Sequence, residues 1–185
     1  NVGITILSRT SVEILQMIDD LTVDAGISYL DNEPLGRVST VSLYDERYML
    51  VCAQDSPLAA RDRVAWSDLA GHRLCLLTSD MQNRRIINRN LIEAGVPPQA
   101  TVESSSTVVL VAHVLEGGWI TILPEDIAGF LTQGKPLRTI PLDGDGASHV
   151  VGLVAPWREP HTPVLEALLT SGEVAFVCGQ LQAVA

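Results

Sequence analysis

Short runs rich in β-branched residues alternate along this chain with segments whose apolar residues recur at helical spacing. "VGITIL" (2–7) reads as a buried strand, short and bounded by turn residues. Thr10 and Glu13 then form a T-x-x-E capping box, the signature of a helix start. Val12, Leu15, Ile18 and Leu21 fall on one face of the helix that follows. "TVDAGIS" (22–28) reads as the next strand. Strand, helix and strand in that order predict a βαβ unit, a parallel sheet and an α/β fold.

The pattern continues. "RVSTVSL" (37–43) and "RYMLVCA" (47–53) read as strands joined by a polar turn over 44–46, and "QDSPLAARD" reads as a loop. "WSDLAG" gives one helical turn closed by Gly71, and "HRLCLL" (72–77) a strand. Ser79 and Gln82 suggest a second capping box, with a helix running to Ala94 and stopped by Gly95 and "VPP". "ATVES" is a short strand, and a greasy helix from "SSST" (104–107) stops at Gly117 and Gly118. "PLRTIPL" (136–142) and "HVVGLVAPW" (149–157) are strands around a "GDG" turn (144–146). Thr162 and Pro163 then open a last helix, to about Gly172. "YMLVCAQDSPL" leaves the first region for a second, and "HVVGLVAPW" can return. Two such crossings make a hinge between two lobes, with a cleft suited to a small molecule.

Composition removes several function classes. The 185 residues carry 12 Lys and Arg against 22 Asp and Glu, a net charge of −10. Phosphate neutralisation dominates nucleic-acid affinity, so this chain alone is expected to bind DNA poorly. Its densest basic cluster is Arg84, Arg85 and Arg89. No apolar run approaches the roughly 20 residues that span a bilayer, and the first residues show no signal-peptide pattern. Cys52, Cys75 and Cys178 lack metal-type spacing; the first two lie in apolar strand-like runs and read as buried, unpaired thiols in a reducing cytoplasm. His72, His113, His149 and His161 have no metal-ligand spacing, and His113 reads as a helix-core histidine. A nucleophile elbow, a phosphate-binding loop and a dinucleotide fingerprint are all missing from the sequence, so no catalytic residue and no cofactor is expected.

Binding leaves a clearer trace. Hydroxyl residues are dense at three expected helix starts, "SRTS" (8–11), "LTSD" (77–80) and "SSST" (104–107), each placed after an expected strand. A helix N-terminus offers free N–H groups and partial positive charge, and neighbouring hydroxyls add donors. Each one alone serves as an ordinary cap. Three together at strand carboxyl ends, where α/β sheets hold ligands, point to an anion site.

"TVDAGI", "YDERYMLVCAQDSPLA", "WSDLAGHRLCLL" and "STVVLVAHVLEGGWITILPED" follow one another in an order and spacing that resemble the effector-binding domain of LysR-type transcriptional regulators. The family pattern has an Asp-Leu-Ala-Ile-like strand, a "hPL" loop after a strand, and a helix ending in a "G.GI..lP" turn. The resemblance covers essentially the whole chain. It implies a type II periplasmic-binding-protein-like fold: two lobes joined by two crossing strands, with a small-molecule effector in the cleft. Residues 1–53 and 151–185 would form lobe one, and 54–150 lobe two. Carried over by position, it points to Ser8, Arg9, Thr10 and Tyr29, then to Thr78, Ser79, Met81, Ser104 and Ser105 as ligand contacts. Such hydroxyls beside helix starts suit a small carboxylate or other anion, and Arg9 could add a bidentate contact.

Two departures matter. "VGITIL" matches the family's second strand, so the first strand and helix of lobe one are missing from the pattern. The expectation is that the intact protein extends upstream to supply them. The family's Gly-x-Gly is here Gly117-Gly118-Trp119, so Trp119 either fills space left open elsewhere or is a core aromatic. The combined expectation is a cytoplasmic effector-sensing domain that forms a homodimer or tetramer, reaches DNA only through a separate N-terminal helix-turn-helix, touches no membrane, binds no metal and does no chemistry. The alternatives are a solute-binding protein of a transport system, which three unpaired cysteines count against, and an enzyme on the same fold.

Overall fold

The computed structural model describes residues 3–31, 33–143, 148–158 and 160–170. In chain order its elements are α1 (Ser11–Asp19), β1 (Gly26–Tyr29), β2 (Val38–Glu46), β3 (Tyr48–Ala53), β4 (Val64–Ala65), β5 (Cys75–Leu77), α2 (Gln82–Glu93), β6 (Val102–Ser104), α3 (Thr107–Leu115), β7 (Ile120–Pro124), α4 (Glu125–Thr132), β8 (Leu137–Asp143), β9 (His149–Pro156) and α5 (Pro163–Thr170). Single 3-10 turns occupy Pro57–Ala60 and Trp66–Leu69. The chain divides into two compact units. One runs through Tyr44 and resumes at Val150; the other spans Asp45–His149.

In the first unit the strand order is β1-β9-β2. β1 and β9 are antiparallel, with Gly26 opposite Val154 and Tyr29 opposite Val151. The parallel βαβ unit expected here therefore does not form. Residues 3–10 carry no strand, and Ile4 and Ile6 are 72% and 73% exposed. The β-branched composition of "VGITIL" was legible, but a strand also needs a partner ladder, and residues 3–10 join none: β1, an edge strand, pairs with β9 alone among the described residues. α1 begins as expected. Thr10 N–H and Oγ1 both donate to Glu13 Oε2 at 2.8 Å, and Thr10 Oγ1 accepts the Glu13 N–H at 3.3 Å. It packs so closely on β1 that a Cβ on Gly26 would lie 2.4 Å from Ile14 Cγ2. α5 is capped by Thr162, whose Oγ1 accepts the Leu165 N–H at 3.3 Å.

The second unit is built on a sheet of order β4-β8-β3-β7. β3 is its centre, antiparallel to both β7 and β8. β3 thus belongs to this unit, where the sequence placed it in lobe one. The expected turn over 44–46 is the end of β2. β5 and β6 are a parallel pair, and a parallel bridge from Leu74 to Ile120 sets β5 beside β7. Val51, Cys75, Leu77, Leu110, Val111, Val114, Leu123, Ala128 and Leu137 form one buried cluster between this sheet and helices α3 and α4. The helix over 125–132 was not among the expected elements; Glu125 and Asp126 form its acidic first turn. The "GDG" turn and Gly172 lie outside the described residues.

Candidate functional site

Two of the three hydroxyl-rich segments meet. β5 and β6 run parallel in register, with Leu77 opposite Ser104. The chain therefore leaves both strands at one level and at one sheet end. Thr78 and Ser79 follow β5 and lead into α2; Ser105 and Ser106 follow β6 and lead into α3. Thr78 and Ser104 are half-buried, while Ser79 and Ser105 are exposed. Ser104 Oγ accepts the Ser106 N–H at 3.1 Å, which closes the turn and leaves its own hydroxyl proton available to a second group.

Neither helix start is capped from its own side chain. The expected capping box of Ser79 and Gln82 does not form. α2 starts later, at Gln82, with Met81 as the cap residue and no side-chain cap bond. Its chain turns instead on the Met81 N–H to Thr78 carbonyl bond at 3.1 Å. α3 starts after Ser106, likewise without a side-chain cap bond. Uncapped first-turn N–H groups keep their donors for solvent or a ligand. Met81 packs against the buried cluster of the second unit.

Sequence reasoning missed the amides beside this turn. Gln82 is 4% exposed, yet its Nε2 has no hydrogen-bond partner among the described residues, and the buried Oδ1 of Asn83 is in the same position. A buried polar group without a partner costs about 1–3 kcal/mol. No local signal marks such residues, because an amide in a helix's first turn is ordinary. Next to them, the nearby Thr78 hydroxyl and the backbone of Asp80, with Arg85 close by, hold the exposed carboxyl of Asp80 below the usual range.

The third segment behaves differently. In the first unit Ser8 and Arg9 are exposed, and Arg9 Nη1 donates to the Ser8 carbonyl at 2.7 Å. Thr10 spends its hydroxyl on Glu13. Among the described residues no strand precedes this turn, so there only two of the three segments follow strands. Tyr29 ends β1, half-buried.

The remaining chemical candidates have structural work. His113 Nδ1 lies 2.8 Å from the carbonyl of Val109, one turn back. Its ring meets Trp119 edge-on with centroids 6.0 Å apart, and the Arg73 guanidinium sits 3.7 Å over the Trp119 ring. Trp119 is half-buried against the cluster of the second unit. Cys52 and Cys75 are fully buried on β3 and β5. Burial pushes the Cys52 thiol up, and it pushes Cys75 to about 11 against a small opposing effect of the Thr121 side chain. Cys178 lies outside the described residues.

Comparison with known proteins places the fold. The model of the LysR substrate binding domain matches residues 1–171. An HTH-type transcriptional regulator of Shigella flexneri, YfeR, is 32% identical over 124 residues, which cover 67% of this chain and 40% of that one. A hydrogen peroxide-inducible genes activator of Pectobacterium carotovorum is 32% identical over 112 residues, covering 60% of this chain and 37% of its own. The chain spans about two fifths of the length of these curated relatives. Among solved structures, an OxyR C206 mutant of Corynebacterium glutamicum superposes with a TM-score of 0.76 at 22% identity, over 92% of this chain and 54% of that one. The effector binding domain of QuiR in complex with shikimate gives 0.75 at 19% identity, over 92% and 78%. The fold is the type II periplasmic-binding-protein-like α/β fold.

Proposed function

The chain belongs to the LysR substrate-binding-domain family, and from that premise we propose that it senses a small carboxylate or similar anion at the turns 78–79 and 104–105, as the regulatory part of a transcription regulator. The observation that carries this reading is the pairing of Leu77 with Ser104, which delivers two uncapped helix starts and their hydroxyls to one sheet end. The unpartnered amide of Gln82 supports it, since a ligand oxygen would satisfy that donor. Ser8, Arg9, Thr10 and Tyr29 stand as candidate contacts within the first unit. Oligomerisation and DNA contact through a separate helix-turn-helix complete the proposal, which assigns the chain no catalytic step.

Relatives named for hydrogen peroxide raise a second reading, in which a thiol is oxidised. The thiolate is the reactive form, and sensing cysteines combine low pKa with exposure. Cys52 and Cys75 have the reverse of both properties. Among the described residues the thiol chemistry therefore favours non-covalent recognition. The relatives are transcription regulators, which disfavours the transport reading.

A thermal-shift panel of acetate, shikimate, phosphate and sulfate tests the proposal. A ligand at 100 times its Kd stabilises by about 2.7 kcal/mol, so at least one carboxylate is expected to raise Tm with saturation. Ser105→Leu should abolish that rise while the unliganded Tm stays within a degree or two of the parent. Equal protection of the variant would show that the ligand sits elsewhere.

A further inference from the structure

Arg84 lies in the first turn of α2, where an arginine would ordinarily reach solvent, yet it is 3% exposed. Its guanidinium is bound on all sides by different segments. Nη1 donates to the Leu77 carbonyl at the end of β5 and to Glu103 Oε1 on β6 at 2.8 Å. Nε donates to Asn88 Oδ1 at 2.8 Å, one turn further along α2. Nη2 reaches the Pro98 carbonyl, in the segment joining α2 to β6, at 3.4 Å.

The two strand partners are the residues that lead into the candidate turns. Leu77 directly precedes Thr78 and Ser79; Glu103 directly precedes Ser104 and Ser105. We infer that Arg84 is a positioning residue for the ligand turns, holding the end of β5, the end of β6 and the start of α2 as one rigid piece. This rests on the functional reading given above. A planar guanidinium with five donors in a fixed fork can bind several acceptors at set angles, which a lysine ammonium on a flexible stem cannot. Simple stabilisation does not account for the arrangement, because burying a charge costs desolvation that its partners roughly repay. Glu103 is itself 46% exposed in its side chain, so the carboxylate reaches in from the surface to a buried cation. What the arrangement secures is geometry. β5 and β6 are three residues each, and three residues of ladder alone hold two strand ends loosely.

Backbone 15N relaxation on the unliganded chain and on Arg84→Lys tests this, with Glu103→Ala as a second variant that removes one partner at a half-exposed position. Order parameters at residues 78–82 and 104–106 are expected to fall together in both variants, while those of β3 and β8 keep their values. Affinity for shikimate or sulfate, whichever binds the parent, should drop about tenfold, the scale of one misplaced hydrogen bond. Loss of order confined to 84–88, or spread evenly over the whole second unit, would overturn the inference. So would unchanged affinity in a variant whose turns have loosened. If no probe binds the parent, the functional reading fails by itself, and the order parameters still decide whether Arg84 holds the two turns.

Discussion

At the scale of single residues, glycine carries the sharpest constraint. β9 lies between β1 and β2, and at Gly152 an added Cβ would sit 2.5 Å from the Val41 carbonyl oxygen and 2.4 Å from Leu30 Cδ1. A flexible side chain can retreat; a neighbouring strand's backbone cannot. Gly152→Ala is therefore expected to destabilise the chain by about 1–3 kcal/mol, the usual cost of overpacking, measured by urea denaturation with an unchanged m-value. Stability equal to the parent's would mean that the strands separate freely there. Residue-level reading from sequence was uneven for a physical reason. Thr10 with Glu13, and Thr162 before Pro163, were legible because capping is local chemistry. The cysteines at 52 and 75 were legible because their neighbours are apolar. Arg84 was not, since its partners Leu77, Pro98 and Glu103 lie on other segments, brought to it only by the fold.

At the scale of elements, α3 shows what composition cannot settle. Its residues Thr107–Leu115 are almost wholly apolar, so no single face is marked for burial. The structure buries Leu110, Val111 and Val114 and leaves Val108 62% exposed. Leu110→Ala should cost about 2–5 kcal/mol, because the cavity cannot fully collapse, while Val108→Ala should stay within about 0.5 kcal/mol as a surface change. Similar losses from both, in chemical denaturation, would mean that the helix is buried all round. The same limit explains the strand expected over 2–7. Local β-propensity reports fitness for a pleated surface and says nothing about which ladder is vacant. Elements with a local start and stop, such as α2 ending before Gly95 at φ 74, were placed to within a residue or two.

At the scale of the molecule, the α/β class and the family were legible because they depend on element order. The assignment of β3 was not, because it depends on pairing with β7 and β8 far along the chain. Of the candidate contacts, the two turns of the second unit were legible as hydroxyls after strands, and their adjacency came from the register of β5 and β6. Net charge makes its own prediction. At −10, the chain by itself should give no discrete, competitor-resistant complex in a low-salt gel shift, since attraction to phosphates is the dominant source of such affinity. A salt-sensitive, sequence-specific complex would contradict this. The central claim is that the turns at 78–79 and 104–105 hold a small anion, and chemical-shift mapping tests it most directly. Titrating shikimate or another carboxylate from the panel into 15N-labelled chain should move the amides of Ser79, Met81, Gln82, Ser105 and Ser106 along one saturating curve, while those of β8 stay still. A saturating response that leaves these amides untouched would contradict the account.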